Sequence, residues 1–203
     1  MVETPDTAGM TRGEVSALPL EEQFSLYGAR YQRIRDLLTG AQLQISEGEW
    51  RWIGEATAPS SGLVSPTTMP GVSGANCYFL DTARITEATG ARGAIAHAEA
   101  MAGYAEARRW ATTVMAYDGD VFVRATTADG DQLDYTITTA GSHILNVYSG
   151  LYWGDYRGLR SAITDRVPDD AVLAASVPGV FVPFPAWGDP VGPGRDPLYR
   201  PSA

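Results

Sequence analysis

From Phe24 to Ile45 the apolar side chains recur at spacings of three and four: Phe24, Tyr27, Tyr31, Ile34, Leu38, Ala41 and Ile45. At 3.6 residues per turn such spacing lines all of them on one stripe, which predicts an amphipathic helix over 21–46. Arg30, Arg33 and Asp36 fall off the stripe and are expected to face solvent. Pro19 suits the approach to a first turn, Glu21 and Glu22 suit the positive end of the helix dipole, and Gly48 is the expected stop. The pattern then changes period. Trp50-Arg51-Trp52-Ile53 alternates, with both tryptophans on one face of a strand, and Cys77–Ile85 reads as a second strand. Between them, 57–76 is rich in Pro, Ser, Thr and Gly and reads as a loop of a length that tends to be functional or mobile.

Ala91–Trp110 is an alanine-rich helix whose stripe of Ile95, Ala98, Ala102 and Ala105 lets it lie close on a sheet. Four alternating segments follow at 112–117, 120–127, 132–139 and 143–149. They are joined at Asp118-Gly119, Asp129-Gly130 and Gly141-Ser142, and Asp-Gly between apolar runs is a strong hairpin signal. Leu151–Arg166 adds a turn or short helix. The order α-β-β-α-β-β-β-β predicts an α+β fold, an antiparallel sheet with two main helices packed on one face. The chain divides into a flexible leader at 1–19, a single domain at 20–166 and an extended proline-rich tail at 167–203. In that tail Val180, Val182 and Phe184 alternate as a strand lying along the domain would.

Composition narrows the chemistry. All 15 basic residues are arginine. Without lysine there is no Schiff base, no lysine general base and no P-loop lysine on a phosphate. The formal charge of -9 argues against nucleic acid and anionic lipid as partners, and solubility alone accounts for it. The single cysteine, Cys77, has no internal disulfide partner, and its apolar neighbours Tyr78, Phe79 and Leu80 suggest a buried, inert thiol. No span reads as transmembrane, because Pro178, Pro183 and Pro185 interrupt the one apolar stretch long enough to consider, and residues 1–7, with no basic or apolar run, do not read as a signal peptide.

Several constellations compete with structural explanations. Asp118, Asp120, Asp129, Asp131 and Asp134 resemble a cation site, but their spacing is not that of an EF-hand, and two hairpin turns would supply the same residues. His97 and His143 could share a metal only with help from carboxylates or Cys77, so each reads as a structural histidine, and no metal or cofactor is expected. Gly71-Val72-Ser73-Gly74-Ala75 misses the nucleophile elbow at its last position. Tyr148, Tyr152, Trp153 and Tyr156 cluster among glycines and are the candidate ligand- or partner-binding residues, with satellite core as the alternative reading.

Tyr31-Gln32-Arg33-Ile34-Arg35-Asp36-Leu37-Leu38, the following Trp50, the glycine-rich stretch to Cys77, Gly103-Tyr104 to Trp110 and the meander Val121–Ser149 together resemble the LppA-like lipoproteins of mycobacteria and related actinobacteria. The resemblance spans roughly residues 21–150 and is one of spacing. It implies a small α+β domain anchored by lipid outside the cytoplasmic membrane, with no assigned enzymatic activity. The Thr/Pro/Asp-rich residues 1–7 resemble the tether that follows a lipidated cysteine, which would itself lie upstream. Family members often carry a second cysteine in the last strand, and Leu145–Ser149 has none, so the family disulfide is absent. The expected function is a non-enzymatic, extracytoplasmic binding domain, membrane-anchored or secreted, whose partner is an envelope protein or a neutral small ligand. The alternatives are a hydrolase using Glu49 or Glu55 beside loop 57–76, which needs convergent titratable groups in one cleft, and an acidic immunity- or inhibitor-type protein.

Overall fold

The computed structural model describes residues 3–53, 57–87, 94–168 and 173–192. In chain order the elements are α1 (Arg12–Ser16), α2 (Leu20–Gln42), β1 (Trp50–Trp52), β2 (Ser60–Ser61), β3 (Cys77–Phe79), β4 (Asp81–Glu87), α3 (Ala94–Glu106), β5 (Ala111–Tyr117), β6 (Asp120–Thr126), β7 (Gln132–Ile137), β8 (Ser142–Tyr148), β9 (Tyr152–Trp153), α4 (Tyr156–Thr164) and β10 (Ala175–Ser176). Seven strands form one antiparallel sheet in the order β10-β1-β4-β8-β7-β6-β5, and β2-β3-β9 form a small second sheet. The fold is α+β, with the two main helices, α2 and α3, packed against one face of the large sheet.

The meander forms where the alternation places it, and its first turn shows why. Asp118 and Gly119 both take positive φ, at 49° and 84°, which is the two-residue turn whose twist matches the strands it joins. On the inward face Val123, Tyr135 and Leu145 stand opposite one another across β6, β7 and β8, and all three are buried. Phe24, Tyr27, Tyr31, Ile34, Leu38 and Ala41 of α2 close over that layer, as their spacing predicts. The helix stops at Gln42, earlier than Gly48, and Ile45 lies beyond it.

Four expectations change. Arg30 does not face solvent: it is 8% exposed, because α2 is covered on more than one side. The 57–76 loop is partly structured, with Ser60–Ser61 pairing on β3 and a turn of 3-10 helix at Gly62–Val64. Residues 3–19 are folded: Thr11 caps α1 in a reciprocal box with Glu14, and Val15 is buried. The expected second strand is split. Cys77–Phe79 serves the small sheet and Asp81–Glu87 the large one. Its buried Cys77 thiol is pushed up to about 12, mainly by burial, so it stays protonated.

The tail lies along α2 instead of forming a long strand. Tyr31 donates to the Val182 carbonyl at 2.7 Å, and Phe184 packs on Phe24, Tyr27 and Tyr31. Among the described residues of the tail, Ala175–Ser176 alone pairs as a strand, with β1. The predicted helix start at Ala91 and the tail beyond Gly192 lie outside the described residues.

Candidate functional site

The four aromatic residues singled out in the sequence do not form one surface. Tyr152 and Trp153 lie on β9 and are 1% and 3% exposed, while Tyr148 and Tyr156 are half-buried at the end of β8 and the start of α4. Each buried ring has its polar atom engaged, as burial demands. The Trp153 indole donates to the Thr4 carbonyl at 3.0 Å. The Tyr152 hydroxyl accepts from Arg33 at 2.5 Å, and the Arg30 guanidinium lies 3.9 Å from its ring centroid.

Around Tyr152 sits a polar network that periodicity gave no hint of. Arg30 donates to the Tyr78 hydroxyl at 2.5 Å and comes within 3.9 Å of the Asp6 carboxylate. Arg33 donates to Asp131 at 2.9 Å and to Asp129 at 3.2 Å. Asp131 also accepts from the Gly150 N–H at 3.1 Å. Burial raises the Asp131 carboxyl, with Arg33 and the Gly150 N–H pulling the other way. Burial pushes Tyr78 and Tyr152 up to about 12. Neutral phenols stacked on guanidinium planes hold a core together and offer no base or nucleophile at neutral pH. Arginine suits this role where lysine would not, because its planar group stacks on aromatic faces and keeps its charge. The same use recurs at Arg84, 3.6 Å from the Trp52 ring centroid, and at Arg35, 4.5 Å from that of Tyr31.

The two histidines do meet, although their spacing gave no reason to pair them. Their ring centroids are 4.8 Å apart, edge to face, and the Tyr135 hydroxyl lies 2.5 Å from His143 Nδ1. Among the described residues no third ligand completes a metal-binding group. His143 is 2% exposed, and its pKa is lowered by burial first and by His97 second, with Glu87 of β4 opposing. A histidine harder to protonate folded than unfolded destabilises the fold as pH falls, because the unfolded chain then binds the extra proton. Stability should therefore begin to drop below about pH 6.5, the unfolded value, and keep dropping until the depressed folded pKa is passed. Urea melts between about pH 7.5 and about pH 5.5 check this, with His143→Gln flattening the dependence.

Glu47 and Glu49 lie on the exposed approach to β1, and Glu55 is outside the described residues. Asp118 is exposed in its turn, Asp120 accepts from the Thr139 N–H, and Asp134 pairs with Arg124, so the aspartates of the meander serve different partners.

Among the described residues, the outward face of the large sheet is where apolar side chains have no layer over them. Met115 of β5 stands opposite Phe122 of β6, Phe122 opposite Thr136 of β7, Thr136 opposite Ile144 of β8, and Ile144 opposite Ile85 of β4. Paired residues in an antiparallel sheet share a face, so these five form a row across it. Met115 is 50% exposed, and the other four are intermediate. In the next row Arg124 grips Asp134 with two bonds of 2.8 Å. A shallow depression of about 210 Å³ opens between these rows, lined by Met115, Phe122, Arg124, Asp134, Thr136 and Asn146. Tyr148 stands on this same face, toward its edge, opposite Gln132 and Asp81.

Comparison of the chain with protein-family models, with curated proteins and with solved structures found no match.

Proposed function

We propose that this chain works by binding a protein, and that the surface it uses is the open face of the seven-stranded sheet. The observation that carries this reading is the depression beside Met115 and Phe122. An antiparallel sheet commonly leaves one face in water, and that face is then polar. Here it carries Met115, Phe122, Ile144 and Ile85 in one row, where polar residues would serve solubility better. The depression is smaller than the ~300–1,000 Å³ typical of small-molecule sites. It is nearer the size of one large side chain, so a partner offering an apolar anchor fits better than a neutral small ligand. Arg124 and Asp134 at its rim would fix the orientation of that anchor's backbone. Of the residues proposed from the sequence, Tyr148 belongs to this surface.

A cell-envelope setting is supported by the resemblance to LppA-like lipoproteins. Among the described residues no helix is long and apolar enough to cross a membrane.

Selection of displayed peptides on the folded chain tests the reading. Enriched peptides should share an aromatic or aliphatic anchor. Phe122→Asp should weaken them about tenfold or more, as losing a hot spot does, with little change in melting temperature. Peptides that bind Phe122→Asp as well as the parent would place the surface elsewhere.

A further inference from the structure

Among the described residues no backbone pairs with the outer edge of β5, and we propose that its occupant is a second copy of this chain, the two pairing β5 against β5 across a two-fold axis and joining their sheets. β5 ends the large sheet, and its seven residues, Ala-Thr-Thr-Val-Met-Ala-Tyr, include no charge and no proline. Proteins usually protect such an edge with those residues, with a bulge or with a covering segment. Here Val114 is 51% exposed, Met115 50% and Tyr117 78%.

The hairpin fixes which backbone groups are on offer. Tyr117 and Asp120 flank the two-residue turn and form the hydrogen-bonded pair, so Met115, Thr113 and Ala111 also bond inward to β6. The N–H and C=O groups of Thr112, Val114 and Ala116 therefore point away from the sheet. Outward groups can bond only to outward groups, and the register with the fullest overlap sets Val114 against Val114 of the second copy. Thr112 then faces Ala116, Thr113 faces Met115, and Ala111 faces Tyr117. In each of the last two pairs a large side chain meets a small one, and the two-fold repeats the fit.

The charges flanking the strand fit the same arrangement. Arg108 and Arg109 precede β5, and Asp118 and Asp120 follow it. Antiparallel pairing brings the basic end of each strand to the acidic end of the other, twice. A parallel approach would set like charges together. Arg109 and Asp118 are exposed, and among the described residues neither takes part in an ion pair. They are also the two non-glycine residues with positive φ among the described residues. Asp118 needs that conformation for its turn. Arg109 occupies the left-handed position after α3, where its N–H bonds to Glu106 at 2.8 Å and that of Trp110 to Ala105 at 3.1 Å. Glycine is the usual residue there, so an arginine keeps a charge at some cost to the monomer. The -9 charge of each copy opposes association, but beyond a Debye length of about 8 Å it is largely screened, while the paired ends are in contact.

Sedimentation equilibrium of the whole chain across the micromolar range tests the proposal. The expected result is a monomer–dimer equilibrium. Val114→Pro removes an N–H that β6 does not use, and losing both symmetry-related bonds should weaken the dimer about tenfold or more. Arg109→Gly should weaken the dimer while raising the melting temperature, a combination that a purely structural arginine would not give. A chain that stays monomeric throughout overturns the proposal, as does a dimer that Arg109→Gly leaves at full strength. If circular dichroism shows that Val114→Pro is unfolded, Arg109→Gly decides. These outcomes are read at the strand edge, so they stand apart from the peptide test on the sheet face.

Discussion

Asp6→Ala should destabilise the protein by about 3–5 kcal/mol, the range for removing one member of a buried charged constellation. The Asp6 side chain is fully buried and accepts from the N–H groups of Ala8 at 2.8 Å, Met10 at 3.0 Å and Trp153 at 3.2 Å. Arg30 stands 3.9 Å away. Alanine would leave those donors without their acceptor and Arg30 without its nearest carboxylate. Each unmet buried donor costs about 1–3 kcal/mol, so even partial access of water leaves a large loss. Against a total stability of about 5–15 kcal/mol, such a change moves a urea midpoint far. Asp6→Asn keeps an acceptor oxygen and should recover part of the loss. A change below about 1 kcal/mol in Asp6→Ala would mean that the N-terminal segment is not docked in solution. The segment is seated by more than one residue: the Thr7 N–H donates to the Leu151 carbonyl at 3.1 Å, and a Cβ at Gly150 would collide with Thr7.

The main elements could be read from the sequence because their apolar side chains face one way. Phe24 to Ala41 follow a stripe because α2 has one sheet to cover, and the meander alternates because one of its faces is dry. The leader could not be read in this way. Its order depends on Asp6 meeting the Trp153 N–H across most of the length of the chain, and a polar residue satisfied at that distance leaves no local periodicity. Arg30 and Arg35 were hidden for a related reason: charge off the stripe reads as solvent-facing unless an aromatic partner such as Tyr152 or Tyr31 is known to lie over it.

The open face left a trace that strict alternation obscured. Val121-Phe122-Val123, Val114-Met115 and Ile144-Leu145 are adjacent apolar residues in strands that otherwise alternate. In a sheet with one wet face, two neighbours of this kind cannot both be core, and one of each must point outward. Phe122, Met115 and Ile144 are those residues. The aromatic cluster was read by composition where it should have been read by position. Tyr152 and Trp153 are consecutive yet both buried, because both faces of β9 are covered: Tyr152 packs into the main core with Tyr78, and Trp153 into a second cluster with Val15 and Cys77 beneath the docked N-terminal segment.

Tyr152 offers the largest separation between a core role and a surface role. Tyr152→Ala should cost about 3–5 kcal/mol, the range for truncating a buried aromatic ring. The ring packs 5.7 Å from that of Tyr78, sits beneath the Arg30 guanidinium, and receives the Arg33 hydrogen bond on its hydroxyl. Tyr152→Phe keeps the ring and removes only the acceptor, so its cost should be about 1–3 kcal/mol, that of a charged donor losing a partner. Arg33 keeps Asp131 and Asp129, which places the expected value toward the lower end. Equilibrium urea unfolding of the two variants, with unchanged slopes, measures both. The opposite pattern, a small loss for alanine together with weakened peptide binding, would return Tyr152 to the binding surface and move the proposed site from the sheet face to β9.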